Sequence, residues 1–191
     1  MTEHKHSYRN VLNATSLFGG GQVINIIISL IRSKVIAMLI GPLGMGISSL
    51  LLSTMQLING ITNLGLERSA VKDISLANND SNTKSVAKTI SVLKKLVWLT
   101  ITLGVVIMIV ASPWLSEMAF GNKDQTISFI WISIALLFKQ LSSSQLAILQ
   151  GLRKLQYLAK ANLLGNFIGL LITVPLYYLF RLNAIVPAII I

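Results

Sequence analysis

The chain has 191 residues, of which 53% are hydrophobic and only 12% are charged, and its mean hydropathy is +0.73. A soluble domain carries about twice that share of charge, so the composition excludes an ordinary soluble domain and indicates an integral membrane protein. The net charge is +10, but the basic residues fall in a few segments between apolar runs. We therefore expect membrane lipids as partners and no nucleic acid.

The residues that most metal sites and many catalytic sites need are missing or misplaced. No cysteine is present, which excludes disulfides, thiolate metal sites and a thiol nucleophile. His4 and His6 both lie in the polar N-terminal segment, without the carboxylate or cysteine partners of a metal site. The chain also lacks a P-loop motif for nucleotide hydrolysis. We expect neither an enzyme nor a cofactor.

Long charge-free stretches predict transmembrane helices, because about 20 apolar residues cross a bilayer and a helix satisfies its own backbone there. The sequence GPLGMG at residues 41–46 separates the first two stretches and predicts a tight turn. We predict an all-α polytopic bundle, one domain over residues 1–191, with five full transmembrane helices and a truncated sixth. The spans lie at about residues 11–40, 47–66, 96–116, 125–152, 161–180 and, for the incomplete one, 182–191.

The positions of Lys and Arg predict the orientation, because cytoplasmic loops carry an excess of them. The side that holds the N-terminus has eleven, and the opposite side has two, Lys123 and Arg181. The N-terminus is therefore predicted to be cytoplasmic, and residues 67–95 are predicted to form an amphipathic connection at the cytoplasmic surface. Aromatic residues near the span ends are typical of a membrane interface: Trp98, Trp114, Trp131, Tyr157, Tyr177 and Tyr178.

Three cations lie inside the predicted spans: Arg32, Lys34 and Lys139. A cation at a helix centre costs about 2.5–3.5 kcal/mol on insertion scales, so it usually faces a bundle interior or a wet cavity. Arg32 and Lys34 have an alternative, since they could extend toward the nearer interface. Lys139 lies close to the middle of its span, which favours a cavity.

Polar residues recur at helical spacing on the same spans, with Gln22 and Asn25 on the first and Gln56 and Asn63 on the second. Interhelical hydrogen bonds and small-residue packing are an alternative explanation for any one of them. The predicted spans contain no Asp or Glu, which argues against an exporter of cationic drugs. We predict a hydrated, electropositive cavity for an anionic substrate, with these substrate-binding residues: Arg32, Lys34, Lys139, Gln22, Asn25, Gln56 and Asn63.

Several short motifs follow one another along the chain: GPLGMG at residues 41–46, GLE at 65–67, FGNKD at 120–124 and QGLRK at 150–154. Together with residues 161–178 and 184–187, they make the whole chain resemble the O-antigen and polysaccharide flippases of the multidrug/oligosaccharidyl-lipid/polysaccharide exporter superfamily. The resemblance implies two inverted or pseudo-symmetric bundles around a central cavity. This chain would be the N-terminal bundle.

The resemblance also implies a function: flipping of an undecaprenyl-diphosphate-linked oligosaccharide across the bacterial inner membrane by alternating access. The oligosaccharide would be a repeat unit of O-antigen, as in lipopolysaccharide biosynthesis, or of another surface polysaccharide. The implied partners are this lipid-linked oligosaccharide and polysaccharide assembly proteins. The alternatives are a multidrug or toxin exporter of the same superfamily and a truncated membrane fragment that transports nothing.

Overall fold

The structure, a computed structural model, describes the backbone of residues 2–79 and 83–191 and the side chains of residues 22–79 and 84–191. Every regular element in these residues is a helix, as the apolar stretches predict. A short 3-10 turn, Arg181–Ala184, joins the last two α-helices. In chain order the helices are α1 Thr2–Asn63, α2 Leu66–Asn79, α3 Thr83–Val110, α4 Ser112–Phe120, α5 Thr126–Gly151, α6 Leu155–Phe180 and α7 Ile185–Ile190.

Four stretches of the described chain are long and apolar enough to cross a membrane: Gln22–Asn63, Lys84–Val110, Thr126–Gly151 and Leu155–Ile190. The all-α class is thus confirmed. The predicted count of five spans and a partial sixth is not supported, because the described residues contain four membrane-capable stretches. The first two predicted spans lie on one helix, α1, and the last two lie in one continuous stretch.

A sharp kink at Gly41 divides α1 into two helical segments. Gly41 has a φ of 67° and a ψ of −176°, a conformation essentially restricted to glycine. Arg32 and Ser48 both act on the side chain of Tyr177, although one straight helix would separate their Cα atoms by about 24 Å. The chain therefore turns back at Gly41, in agreement with the turn predicted at residues 41–46.

The helices pack around two apolar clusters. The first joins α1, α3, α4, α5, α6 and α7, and includes Ile40, Phe129 and Ile185. The second joins α2, α3 and α5 and includes Ile74 and Ile101. Helix α5 contributes to both clusters and is the most buried of the four apolar stretches, so it is the central helix of the bundle.

The segment predicted as an amphipathic connection, residues 67–95, forms α2 and the first turns of α3. The apolar face of α2, with Ala70, Ile74 and Ala77, is buried and contacts α3 and α5. A Cβ atom on Gly151 of α5 would lie only 2.7 Å from the Cβ of Ile74. Its cytoplasmic location stays a prediction. Lys5 and Arg9, two of the eleven basic residues on the predicted cytoplasmic side, have side chains outside the described residues.

We predict that Gly44→Ala destabilises the protein, because a Cβ atom there would lie 2.6 Å from the Cβ of Ile40 and 2.8 Å from the Cδ2 of Leu182. Overpacking of this kind costs about 1–3 kcal/mol. The measurement is the apparent Tm of the purified protein in detergent. Gly46→Ala is the matched control, since no atom lies within 4 Å of its added methyl group. An equal Tm for both variants would contradict the close contact between the turn and Leu182.

Candidate functional site

The first segment of α1 contacts α6 through polar side chains at two levels. The Nδ2 of Asn166 donates a hydrogen bond of 3.0 Å to the Oδ1 of Asn25. Two turns further along α1, the guanidinium of Arg32 lies against Gly169, with Nη1 3.4 Å from the point where a Cβ atom would stand. Because Gly169 has no side chain, the guanidinium can lie directly against the backbone of α6.

Arg32 belongs to a group of side chains, here called the Arg32 cluster, that joins both segments of α1 to α6. The hydroxyl of Tyr177 lies within the electrostatic influence of Arg32 and beside Ser48. Thr173, one turn before Tyr177, is buried and donates its hydroxyl hydrogen to the carbonyl of Gly169. Arg32 itself is half-buried and pairs with no carboxylate of the described residues. Its charge is thus free to attract an anion.

Lys139 lies on a different part of the bundle, in an open groove of about 350 Å³. The walls of the groove come from α5, from Met55 on the second segment of α1 and from residues 189–191. Lys139 is half-buried, and Ser142 and Ser143 line the groove beside it. Like Arg32, it forms no ion pair with a described carboxylate. The prediction that Lys139 faces a cavity agrees with this placement, while its role in binding stays a prediction.

The other candidate residues are not gathered around either cation. Gln22, Lys34 and Gln56 are exposed on the surface of α1. Asn63 is half-buried, and its Nδ2 donates a hydrogen bond of 3.0 Å to the Oε1 of Glu67. Two of the seven predicted binding residues contact the same helix: Asn25 contacts Asn166 of α6, and Arg32 contacts Gly169 of α6.

The comparison with protein families identifies the chain. A family model described as polysaccharide biosynthesis protein matches residues 11–191. The chain belongs to this family. The family is of the transporter type rather than enzymatic, and with four membrane-capable helices the chain is a multi-pass membrane protein. The family resemblance read from the motifs is therefore confirmed. No curated protein and no solved structure matches the chain.

Tyr177 of this polysaccharide biosynthesis protein does not lie where the sequence predicts it. It was predicted at the membrane interface, but its side chain is only 3% exposed, because it packs between α1 and α6 in the Arg32 cluster. The other five predicted interface aromatics are exposed. A signal was available: Gly169, Thr173 and Tyr177 repeat at four-residue spacing, so they share one face of α6.

A second polar contact that the sequence analysis missed lies between α1 and α5. The Nε2 of Gln140 donates a hydrogen bond of 3.1 Å to the Oγ1 of Thr62, and both side chains are buried. Gln140 follows Lys139 directly, so the two side chains point to different sides of α5. Lys139 faces the open groove, while Gln140 faces the interior of the bundle.

We predict that Tyr177→Phe lowers the stability of this family member by about 1 kcal/mol, the typical net contribution of one hydrogen bond. The lost hydroxyl is the one that lies beside Ser48 and Arg32. Tyr178→Phe is the matched control, because Tyr178 is 72% exposed. Apparent Tm values in detergent provide the measurement. A double-mutant cycle with Ser48→Ala should give a coupling of at least about 0.5 kcal/mol, and strict additivity would contradict the contact.

Proposed function

We propose that this protein translocates a lipid-linked oligosaccharide, carried on undecaprenyl diphosphate, from the cytoplasmic to the periplasmic leaflet of the bacterial inner membrane. The family, which acts in polysaccharide biosynthesis and is of the transporter type, supports a substrate of this class. The observation that carries the proposal is the placement of Arg32 and Lys139. Both are half-buried on membrane-capable helices, and neither pairs with a described carboxylate.

Such cations suit a diphosphate. An arginine can hold two phosphate oxygens with parallel N–H bonds, and hydrogen bonds between charged groups are about twice as strong as neutral ones. In apolar surroundings the attraction between opposite charges also exceeds its value in water. Arg32 and Lys139 would therefore attract the diphosphate or acidic sugars, while neutral polar groups contact the rest of the oligosaccharide.

The exposed polar face of α1 supports a hydrated path. Gln22 and Ser29 on the first segment and Ser53 and Gln56 on the second are exposed, and unpaired polar groups are costly against lipid tails. These side chains would face water and sugar in a cavity between this bundle and a second one. Movement of the two bundles about that cavity would give alternating access.

We assign the crossings as follows. Helix α1 crosses twice because it turns back at Gly41, and α5 and α6 cross once each. The third crossing includes the end of α3 and the start of α4, where Pro113 occupies the first turn of the new helix. The exposed basic residues of the α2–α3 and α5–α6 regions, among them Lys72 and Arg153, favour a cytoplasmic location for that end and for the N-terminus.

We predict that Lys139→Gln reduces export of surface polysaccharide by about 10- to 100-fold. This is the effect of losing a hydrogen bond to a charged group worth about 1.5–3 kcal/mol. Arg32→Gln should act likewise, and Lys139→Arg should retain most of the activity. The measurement is surface polymer in a strain that depends on this protein, together with lipid-linked repeat units left in the inner leaflet.

The matched control is Lys123→Gln, because Lys123 is exposed and its Nζ lies 3.9 Å from the Oε2 of Glu117. Lys123 precedes the start of α5, at the other end of this helix from Ser142 and Ser143, which line the groove beside Lys139. It should leave export unchanged. Full export by the Lys139→Gln and Arg32→Gln variants, at normal protein levels in the membrane, would refute the proposed anion path. Loss of drug resistance without loss of polymer would instead favour a multidrug exporter.

A further inference from the structure

A small internal cavity of about 10 Å³ lies where α1, α2, α3 and α5 meet. Half of its lining residues are apolar, and the other half carry oxygen atoms in their side chains. A space of this size holds one water-sized occupant at most. The oxygen-bearing residues are Asn63, Glu67, Thr100, Gln140 and Ser144.

Gln140 supplies the clearest sign that the cavity has an occupant. Its side chain is 4% exposed, and its Nε2 donates to the Oγ1 of Thr62. Its Oε1 is fully buried and has no hydrogen-bond partner. Buried polar atoms in folded proteins nearly always have a partner, so the lone pairs of this oxygen require a donor or a cation in the cavity.

Two of the hydrogen-bond donors around the cavity, those of Asn63 and Thr100, are directed elsewhere. Asn63 donates from Nδ2 to the Oε1 of Glu67 at 3.0 Å, and Thr100 donates from Oγ1 to the carbonyl of Val97 at 3.0 Å. What these groups leave for the cavity is mainly oxygen lone pairs. A water molecule has only two hydrogens to share among them, whereas a cation can accept several lone pairs.

The electrostatic surroundings also favour a cation. Glu67 carries a negative charge, and no Lys or Arg is among the residues that line the cavity. Glu67 and Ala147 line a larger, open groove of about 360 Å³ as well, so the cavity lies next to a groove that opens to the surface.

We propose that this cavity binds one Na⁺ ion, held by Glu67, Gln140 and the neighbouring side-chain oxygens. One carboxylate balances one positive charge, and sites for divalent cations generally use more acidic ligands. The described residues contain no group of three or more His, Cys, Asp or Glu that could hold a metal. Na⁺ is smaller than a water molecule and therefore suits so small a space. This site does not depend on the proposed transport function.

The test is the apparent Tm of the full chain in detergent, with NaCl compared with choline chloride at equal ionic strength. Na⁺ bound only by the folded state should raise Tm in a saturable manner. Equilibrium binding of radioactive Na⁺ should approach one ion per chain. Glu67→Gln keeps an oxygen that can accept from Asn63 but removes the charge, so it should abolish both effects. Gln140→Leu should do the same.

The matched control is Thr62→Val, which removes the acceptor of Gln140 Nε2 but no atom that lines the cavity. This variant should be less stable yet keep the Tm rise in Na⁺. Each variant is compared with itself in the two salts, so a general loss of stability does not obscure the result. If Na⁺ raises no Tm in the unmodified chain, or raises it equally in Glu67→Gln, the proposal is overturned and the cavity holds a bound water only.

Discussion

At Gly41 the backbone has a φ of 67° and a ψ of −176°. Any residue other than glycine would be strained at these angles. The reversal they produce lets the two segments of α1 contact α6 together. Arg32, nine residues before the turn, and Ser48, seven residues after it, both reach Tyr177. Gly44 lies against Leu182 at the turn between α6 and α7. The packing of the first apolar cluster depends on these contacts, since it draws residues from α1, α6 and α7.

The helices of the bundle are joined by a small number of polar contacts among many apolar ones. Asn25 with Asn166, Thr62 with Gln140, and Ser48 with Tyr177 each join different helices or segments. In a membrane the hydrophobic effect does not drive helices together, so close packing and interhelical hydrogen bonds specify which faces meet. Gly169 combines both, because the lack of a side chain lets Arg32 approach α6.

The helical class, the turn at residues 41–46 and the groove at Lys139 could be predicted from the sequence, because each depends on local features. Charge-free length indicates a span, Pro and Gly indicate a turn, and a lysine at mid-span requires polar surroundings. Tyr177 could not be placed in this way. An aromatic residue near the end of a span suits both an interface and a buried contact, and the choice depends on the position of α1. Asn63 was likewise read as part of a polar face, although Glu67 lies within its reach one turn later.

The polar sites differ in whether they offer hydrogen-bond donors or hydrogen-bond acceptors to a ligand. Arg32 and Lys139 offer donors and positive charge without a described carboxylate partner, so their surroundings suit phosphate oxygens. The cavity beside Gln140 offers the reverse, a carboxylate and oxygen lone pairs without a cation in its lining. Gln140 and Lys139 are adjacent on α5, yet they face these two opposite environments. The central helix thus separates an electropositive groove on its surface from an electronegative cavity in the interior, and one anion and one cation could bind without competing.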